Sequence, residues 1–260
     1  MADLKNLKYL KIFCGYADLS NIDSELLADT FCRLETLVIL NHDNPINRAM
    51  SLPMEFLLAK LAQKSNLVRL HLSHIDISEI PTEEFATVAC AVKTLEIINC
   101  ILLDEQWQEV FKRIADQTEE KNSFRTEYPV LSMINPRVMG QFLIRFKDIY
   151  LNHCSLTTDQ ATEFFSLLTT RESQVKNLRL IVGNSEDSNQ LNAVDSKLMA
   201  AGLNSLEKFE FEMYSFIYSF GPGPIQLEEL FNMMHLAGTN LKRISLPPSD
   251  ISQVDAKTIA

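Results

Sequence analysis

His71 and His74 stand three residues apart and are the nearest this chain comes to a metal-ligand pair. They lie in Leu70-His-Leu-Ser-His74, an alternating run. A strand and turn of that kind sends the two rings to different faces, and no acidic or cysteine ligand is spaced to complete a set. The five cysteines form an odd count without metal or disulfide-framework spacing. Gly-rich phosphate loops, H-E-x-x-H and G-x-S-x-G are all absent. Asp104, Glu105 and Glu109 have the placing of first-turn helix acids, held by the helix dipole rather than by a reaction. These residues predict no catalytic centre, no metal and no cofactor. The chemistry that remains is recognition by aromatic and charged side chains, and it depends on what presents them.

The presenting element recurs. Phe146-Lys-Asp-Ile-Tyr-Leu-Asn-His-Cys-Ser-Leu156 reads apolar-x-x-Ile149-x-Leu151-x-x-Cys154-x-Leu156. Ile149 and Leu151 alternate with Asp148, Tyr150 and Asn152, so a short strand buries one set and displays the other. Leu7-x-x-Leu10-x-Ile12, Leu34-x-x-Leu37-x-Ile39, Leu67-x-x-Leu70-x-Leu72 and Val92-x-x-Leu95-x-Ile97 repeat it. Val175-x-x-Leu178-x-Leu180, Leu206-x-x-Phe209-x-Phe211 and Leu241-x-x-Ile244-x-Leu246 follow. The steps between first residues are 27, 33, 25, 54, 29, 31 and 35. Because 54 is twice 27, a worn repeat is expected near 118–145, with a strand at Phe124-Arg-Thr-Glu-Tyr128.

The segments between strands fall into two alternating helix classes. One starts at Asp or Pro and is small and apolar: Asp23 to Arg33, Pro81 to Ala91, Pro136 to Arg145 and Asp195 to Asn204. The other is bulkier: Leu52 to Ala62, Asp104 to Ile114, Thr158 to Leu168 and Gln226 to Leu236. In the second of these, Trp107, Val110, Phe111 and Ile114 share one helical face. The alternation supports the worn repeat, since Pro136 opens a helix where one of the Pro81 type is due.

Strand, helix and a mean period of about 29 resemble the leucine-rich repeat in its long, ribonuclease-inhibitor-like form, across nearly the whole chain. The fold expected is α/β: a leucine-rich-repeat solenoid, a horseshoe arc with a parallel inner sheet, outer helices and about nine repeats over residues 1–260. At about 4.8 Å per strand its inner wall is roughly 40 Å long. A solenoid leaves its ends open. The first strand begins by Leu7 with no polar cap, and Asp255 to Ala260 reads as the start of another helix, so the chain is expected to be a segment of a longer array.

The resemblance implies a non-catalytic scaffold that grips a protein on the concave sheet. Alternation aims Tyr9, Phe13, Val38, Arg69, His71, Glu96, Tyr150, Asn152 and Arg179 from that face, and these are the candidate contacts. Phe13, Val38 and Leu40 have a second reading, packing against further repeats upstream. The substrate-receptor arm of an F-box ubiquitin ligase, or the sensing arm of a signalling or immune receptor, would use the same surface. The aromatic stretch Met213 to Pro224 reads either as a recognition loop or as a long strand folded over the core. A net charge of −10 argues against a generic nucleic-acid binder. No apolar leader or membrane-length run is present, no small-molecule substrate is implied, and a reducing cytoplasm is the expected compartment. Cys100 and Cys154 occupy the turn position of the repeat and read as structural. Cys32 and Cys90 are equivalent positions two strands apart, about 10 Å from each other on strand spacing, too far for a disulfide.

Overall fold

The structure, a computed structural model, describes residues 6–14, 23–41, 54–63, 65–127, 129, 131–154, 156–182, 193–213, 232 and 240–245. The helices expected at Gln226 to Leu236 and from Asp255, and the aromatic stretch beyond Met213, lie outside them apart from single positions. The chain divides into two compact units, Met1–Ile114 and Ala115–Ala260.

In the first unit strands and helices alternate: β1 (Tyr9–Phe13), α1 (Ser24–Phe31), β2 (Thr36–Leu40), α2 (Met54–Gln63), β3 (Arg69–Ser73), α3 (Thr82–Ala91), β4 (Thr94–Ile98) and α4 (Asp104–Ala115). The four strands pair in parallel and in chain order. Their register lines up Leu10, Leu37, Leu70 and Leu95 in one row, and Ile12, Ile39, Leu72 and Ile97 in another. Both rows face the helices, and all but Leu10 are buried. Each such side chain contributes roughly 1.5–3 kcal/mol of transfer free energy. A one-residue slip would turn every one of them to the opposite face.

The second unit contains β5 (Lys121–Glu127), α5 (Pro136–Leu143), β6 (Phe146–Asn152), α6 (Thr158–Leu168), β7 (Asn177–Val182), α7 (Ser196–Leu203), β8 (Lys208–Met213) and β9 (Arg243–Ser245). These strands also pair in parallel in chain order. The core rows are Phe124, Ile149, Leu178, Phe209 and Ile244, then Thr126, Leu151, Leu180 and Phe211. The worn repeat stands where it is due, but its strand starts three residues before Phe124, at Lys121. Lys121 pairs in register with Phe146 and Thr126 with Leu151, and both are buried. A lysine stem and a threonine methyl thus fill positions that are aliphatic elsewhere, which hides the repeat from a hydrophobic pattern. Phe124, Phe142 and Phe146 compensate with ring centroids 4.8, 5.5 and 5.1 Å apart.

Local signals set the helix boundaries. Asp23, Asn135 and Asp195 cap α1, α5 and α7 by accepting amide hydrogen bonds, each eleven residues ahead of Leu34, Phe146 and Leu206. Ala28, Ala86, Gly140 and Ala200 lie six residues ahead of the same strand position in successive repeats of this class, and all are buried. Small side chains there let neighbouring helices approach. A Cβ on Gly140 would come 2.8 Å from Leu167 Cδ1, and one on Gly202 would come 2.9 Å from the Phe165 carbonyl oxygen. His74, Asn99 and His153 occupy one repeat position, with φ of 58°, 51° and 50°. The chain turns out of the strand there, and Asn and His tolerate this left-handed region better than most residues.

The bulky helices carry a second device. Gln106 Nε2 donates to the carbonyls of Ile77 and Ile80 at 2.9 and 2.7 Å, and its Oε1 accepts from Leu103 N at 2.8 Å. Gln160 repeats this on Leu131 and Ile134, at 2.7 Å each, and on Thr157 N at 3.0 Å. Both amides are fully enclosed, and each ties its helix to the turn that precedes the helix before it.

Candidate functional site

The face of the strands opposite the helices carries the side chains that alternation assigned to it. In the first unit they form three rows: Tyr9, Thr36, Arg69, Thr94; Lys11, Val38, His71, Glu96; and Phe13, Leu40, Ser73, Ile98. Tyr9 and Phe13 are exposed, at 54% and 37%, and the Lys11 ammonium lies 4.6 Å from the Phe13 ring centroid. Val38 is buried, at 5%, as are Ser73 and Ile98. Val38 therefore forms floor rather than contact surface.

Arg69, His71 and Glu96 converge. Arg69 Nη2 donates to both Glu96 oxygens at 2.9 and 3.1 Å, and His71 Nδ1 lies 2.6 Å from Oε2. Burial of Glu96 opposes its charge, but the hydrogen bonds from His71 and Arg69 outweigh this and hold the carboxyl below the usual glutamate range. The carboxylate is spent on its two neighbours. It fixes the imidazole, so that Nε2 is the ring nitrogen left for other contacts. His74 belongs to a different set, with Nδ1 2.8 Å from Ser73 Oγ and Nε2 3.3 Å from Asn99 Nδ2. The two histidines do not converge, and among the described residues no three His, Cys, Asp or Glu side chains could hold a metal ion.

The second unit shows Ser123, Asp148, Asn177, Lys208, Arg243; Arg125, Tyr150, Arg179, Glu210, Ser245; and Glu127, Asn152, Ile181, Glu212. Arg179 Nη2 donates to both Glu212 oxygens at 3.0 and 3.2 Å, and Lys208 Nζ lies 2.9 Å from Glu210 Oε1. Arg243 stands 3.6 Å from the same Glu210 oxygen. The hydrogen bond from Lys208 outweighs burial and, with the charges of Lys208, Arg179 and Arg243, lowers the Glu210 pKa. Tyr150 and Asn152 are half-buried, and the buried Asn152 Oδ1 has no hydrogen-bond partner among the described residues. Arg125 lies directly beside Tyr150, exposed, although no sequence rule singled it out. Seeing it requires the register of the worn repeat.

No protein-family model matches the chain, and no curated protein matches it. The surface is therefore interpreted on its own geometry.

Desolvation pushes the Cys100 thiol up to about 12 and that of Cys14 to about 11, which leaves both poor nucleophiles. No disulfide joins the five cysteines. A shallow groove of about 590 Å³ lies at the starts of β1 to β3, lined by Asn6, Leu7, Lys8, Arg33, Glu35, Asn66 and Val68. It is away from the inner rows, and the Lys8–Glu35 ion pair in it, at 2.6 Å, is exposed on both sides. Among the described residues no helix is long and apolar enough to cross a membrane.

Proposed function

We propose that the chain is a non-catalytic scaffold of the leucine-rich-repeat kind that holds a protein partner on the inner face of its strands. The observation that carries this reading is the set of in-register rows, where aromatic and arginine side chains stand at fixed spacing on a hydrogen-bonded sheet. Tyr9, Phe13 and Tyr150 supply aromatic area, and Arg69 and Arg179 are held in place by Glu96 and Glu212 before any partner arrives. Side chains already immobilised lose little entropy on binding, and aromatic and Arg residues are the common anchors of interfaces. Residues Glu96 and His71 act by positioning and hydrogen bonding. A reducing, cytoplasmic location suits five cysteines that form no disulfide.

The test is affinity capture with the full chain against a Tyr150→Ala, Arg179→Ala version checked for folding by circular dichroism. The expected result is loss of specific captured proteins from the double variant. Identical capture by both, at equal folding, removes the inner-face assignment.

A further inference from the structure

The two inner faces differ in how their charges are used. In the second unit Arg125, Arg179, Lys208 and Arg243 stand among Glu127, Asp148, Glu210 and Glu212, four of each sign. In the first unit, three rows across four strands contain two cations, Lys11 and Arg69, and one anion, Glu96. That anion is buried at 8%, gripped by Arg69 and His71, and has no capacity left for a visitor. Among the described residues Lys11 forms no ion pair, and Arg69 keeps a side chain 43% exposed. A chain of net charge −10 thus has a patch of surplus positive charge among exposed aromatics, with the neutral Thr36 between Tyr9 and Arg69 and the neutral Thr94 beyond Arg69.

We propose that the first unit's inner face receives an acidic segment of a protein partner, its carboxylates at Lys11 and Arg69 and an apolar side chain against Tyr9 and Phe13. This rests on the protein-binding reading above and names the partner's chemistry. A carboxylate here meets Lys11 and the exposed side of an Arg69 guanidinium that Glu96 already orients, and charge complementarity of this kind sets specificity and association rate. The buried Val38 gives the segment a floor without a polar group to desolvate. A nucleic acid would also bring negative charge. However, it would have to seat a phosphate backbone against a chain of net −10, with two cations in place of a basic stripe.

The experiment pans a random dodecapeptide phage library on the immobilised full chain. Enriched peptides are then synthesised and measured by biolayer interferometry on wild type, Lys11→Glu, Tyr9→Ser and, as an outer-face control, Lys112→Glu. Positions 9, 11 and 112 are exposed, so none of these variants threatens folding. The expected result is enrichment of net-acidic peptides with at least one aromatic or branched apolar residue. Their binding should weaken about tenfold in Lys11→Glu, weaken in Tyr9→Ser, hold in Lys112→Glu and fall with added salt. Acidic peptides that bind all four proteins alike, or the absence of any acidic peptide that separates them, overturn the proposal. Neutral or basic peptides lost in Lys11→Glu or Tyr9→Ser overturn it while leaving the inner face a protein-binding surface. Oligo-dT binding abolished by Lys11→Glu, with no acidic peptide enriched, replaces it with a nucleic-acid site.

Discussion

Replacing Gln160 by leucine preserves volume and removes one function, the amide that ties α6 to the turn before α5. In the native chain that amide makes hydrogen bonds of 2.7, 2.7 and 3.0 Å at a side chain 1% exposed. Leucine leaves the carbonyls of Leu131 and Ile134 and the amide of Thr157 without this partner. A buried group left unsatisfied costs about 1–3 kcal/mol. Three such groups at the low end of that range put the loss at about 3 kcal/mol. In thermal unfolding this is a fall of about 6–12 °C at roughly 2–4 °C per kcal/mol. Equilibrium urea unfolding of the full chain, with tryptophan fluorescence and far-UV circular dichroism as paired probes, measures it. Gln106→Leu should cost a similar amount, because it breaks the same three bonds on Ile77, Ile80 and Leu103. The two sites share no partner, so the double variant should lose the sum within about 0.5 kcal/mol. A single-variant loss under about 0.5 kcal/mol, typical of a surface change, would show that the clamps hold nothing.

Thr126→Val should stabilise by about 1 kcal/mol in the same assay, because it exchanges a fully buried hydroxyl, without a partner among the described residues, for a methyl beside Leu151; destabilisation would mean the hydroxyl is satisfied. Gly202→Ala should lose about 1–3 kcal/mol, since its Cβ meets a backbone oxygen, whereas Gly140→Ala should be near neutral because Leu167 Cδ1 is the end of a flexible side chain; equal losses would refute the distinction. The Glu96 pKa is lowered from its ordinary 4.5, so its contribution to stability is present above that value and disappears as pH falls through its folded pKa. Glu96→Gln should therefore flatten the acid limb of the stability–pH profile, measured by urea midpoints, and an unchanged limb would assign the acid sensitivity elsewhere.

Much of the fold can be read in the aliphatic rows. Leu37, Leu70 and Leu95 recur at strand period, and a strand that buries one side must display Arg69 and Glu96 on the other. Alternation reports direction but not depth, so it ranks Val38 with Tyr9. Depth depends on neighbouring strands: Val38 lies inside the first unit between Lys11 and His71, while Tyr9 lies on β1, the first strand of the row. The worn repeat is legible as a gap of twice the period and in its Pro136 helix but not in its own strand, because Lys121 and Thr126 occupy the core positions there. The Gln clamp has a sequence signal of its own, since Gln106 and Gln160 each stand third in a bulky helix segment, 54 residues apart. A glutamine near a helix start ordinarily reads as solvent-facing, and only the paired carbonyls reveal otherwise. The joining of Arg69, His71 and Glu96 required cross-strand register, which no single strand contains.

The Gln clamp also limits how such a chain can change length. Donor helices α4 and α6 alternate with acceptor turns that precede α3 and α5, so the smallest unit that carries its own lock and key is two strands with two helices. Excising one strand-and-helix segment from within the alternation would set like against like, an amide with no carbonyl to meet or a turn with no amide to close it. Removing or duplicating a pair would leave every lock matched. Growth and loss in this architecture are therefore expected to proceed by even numbers.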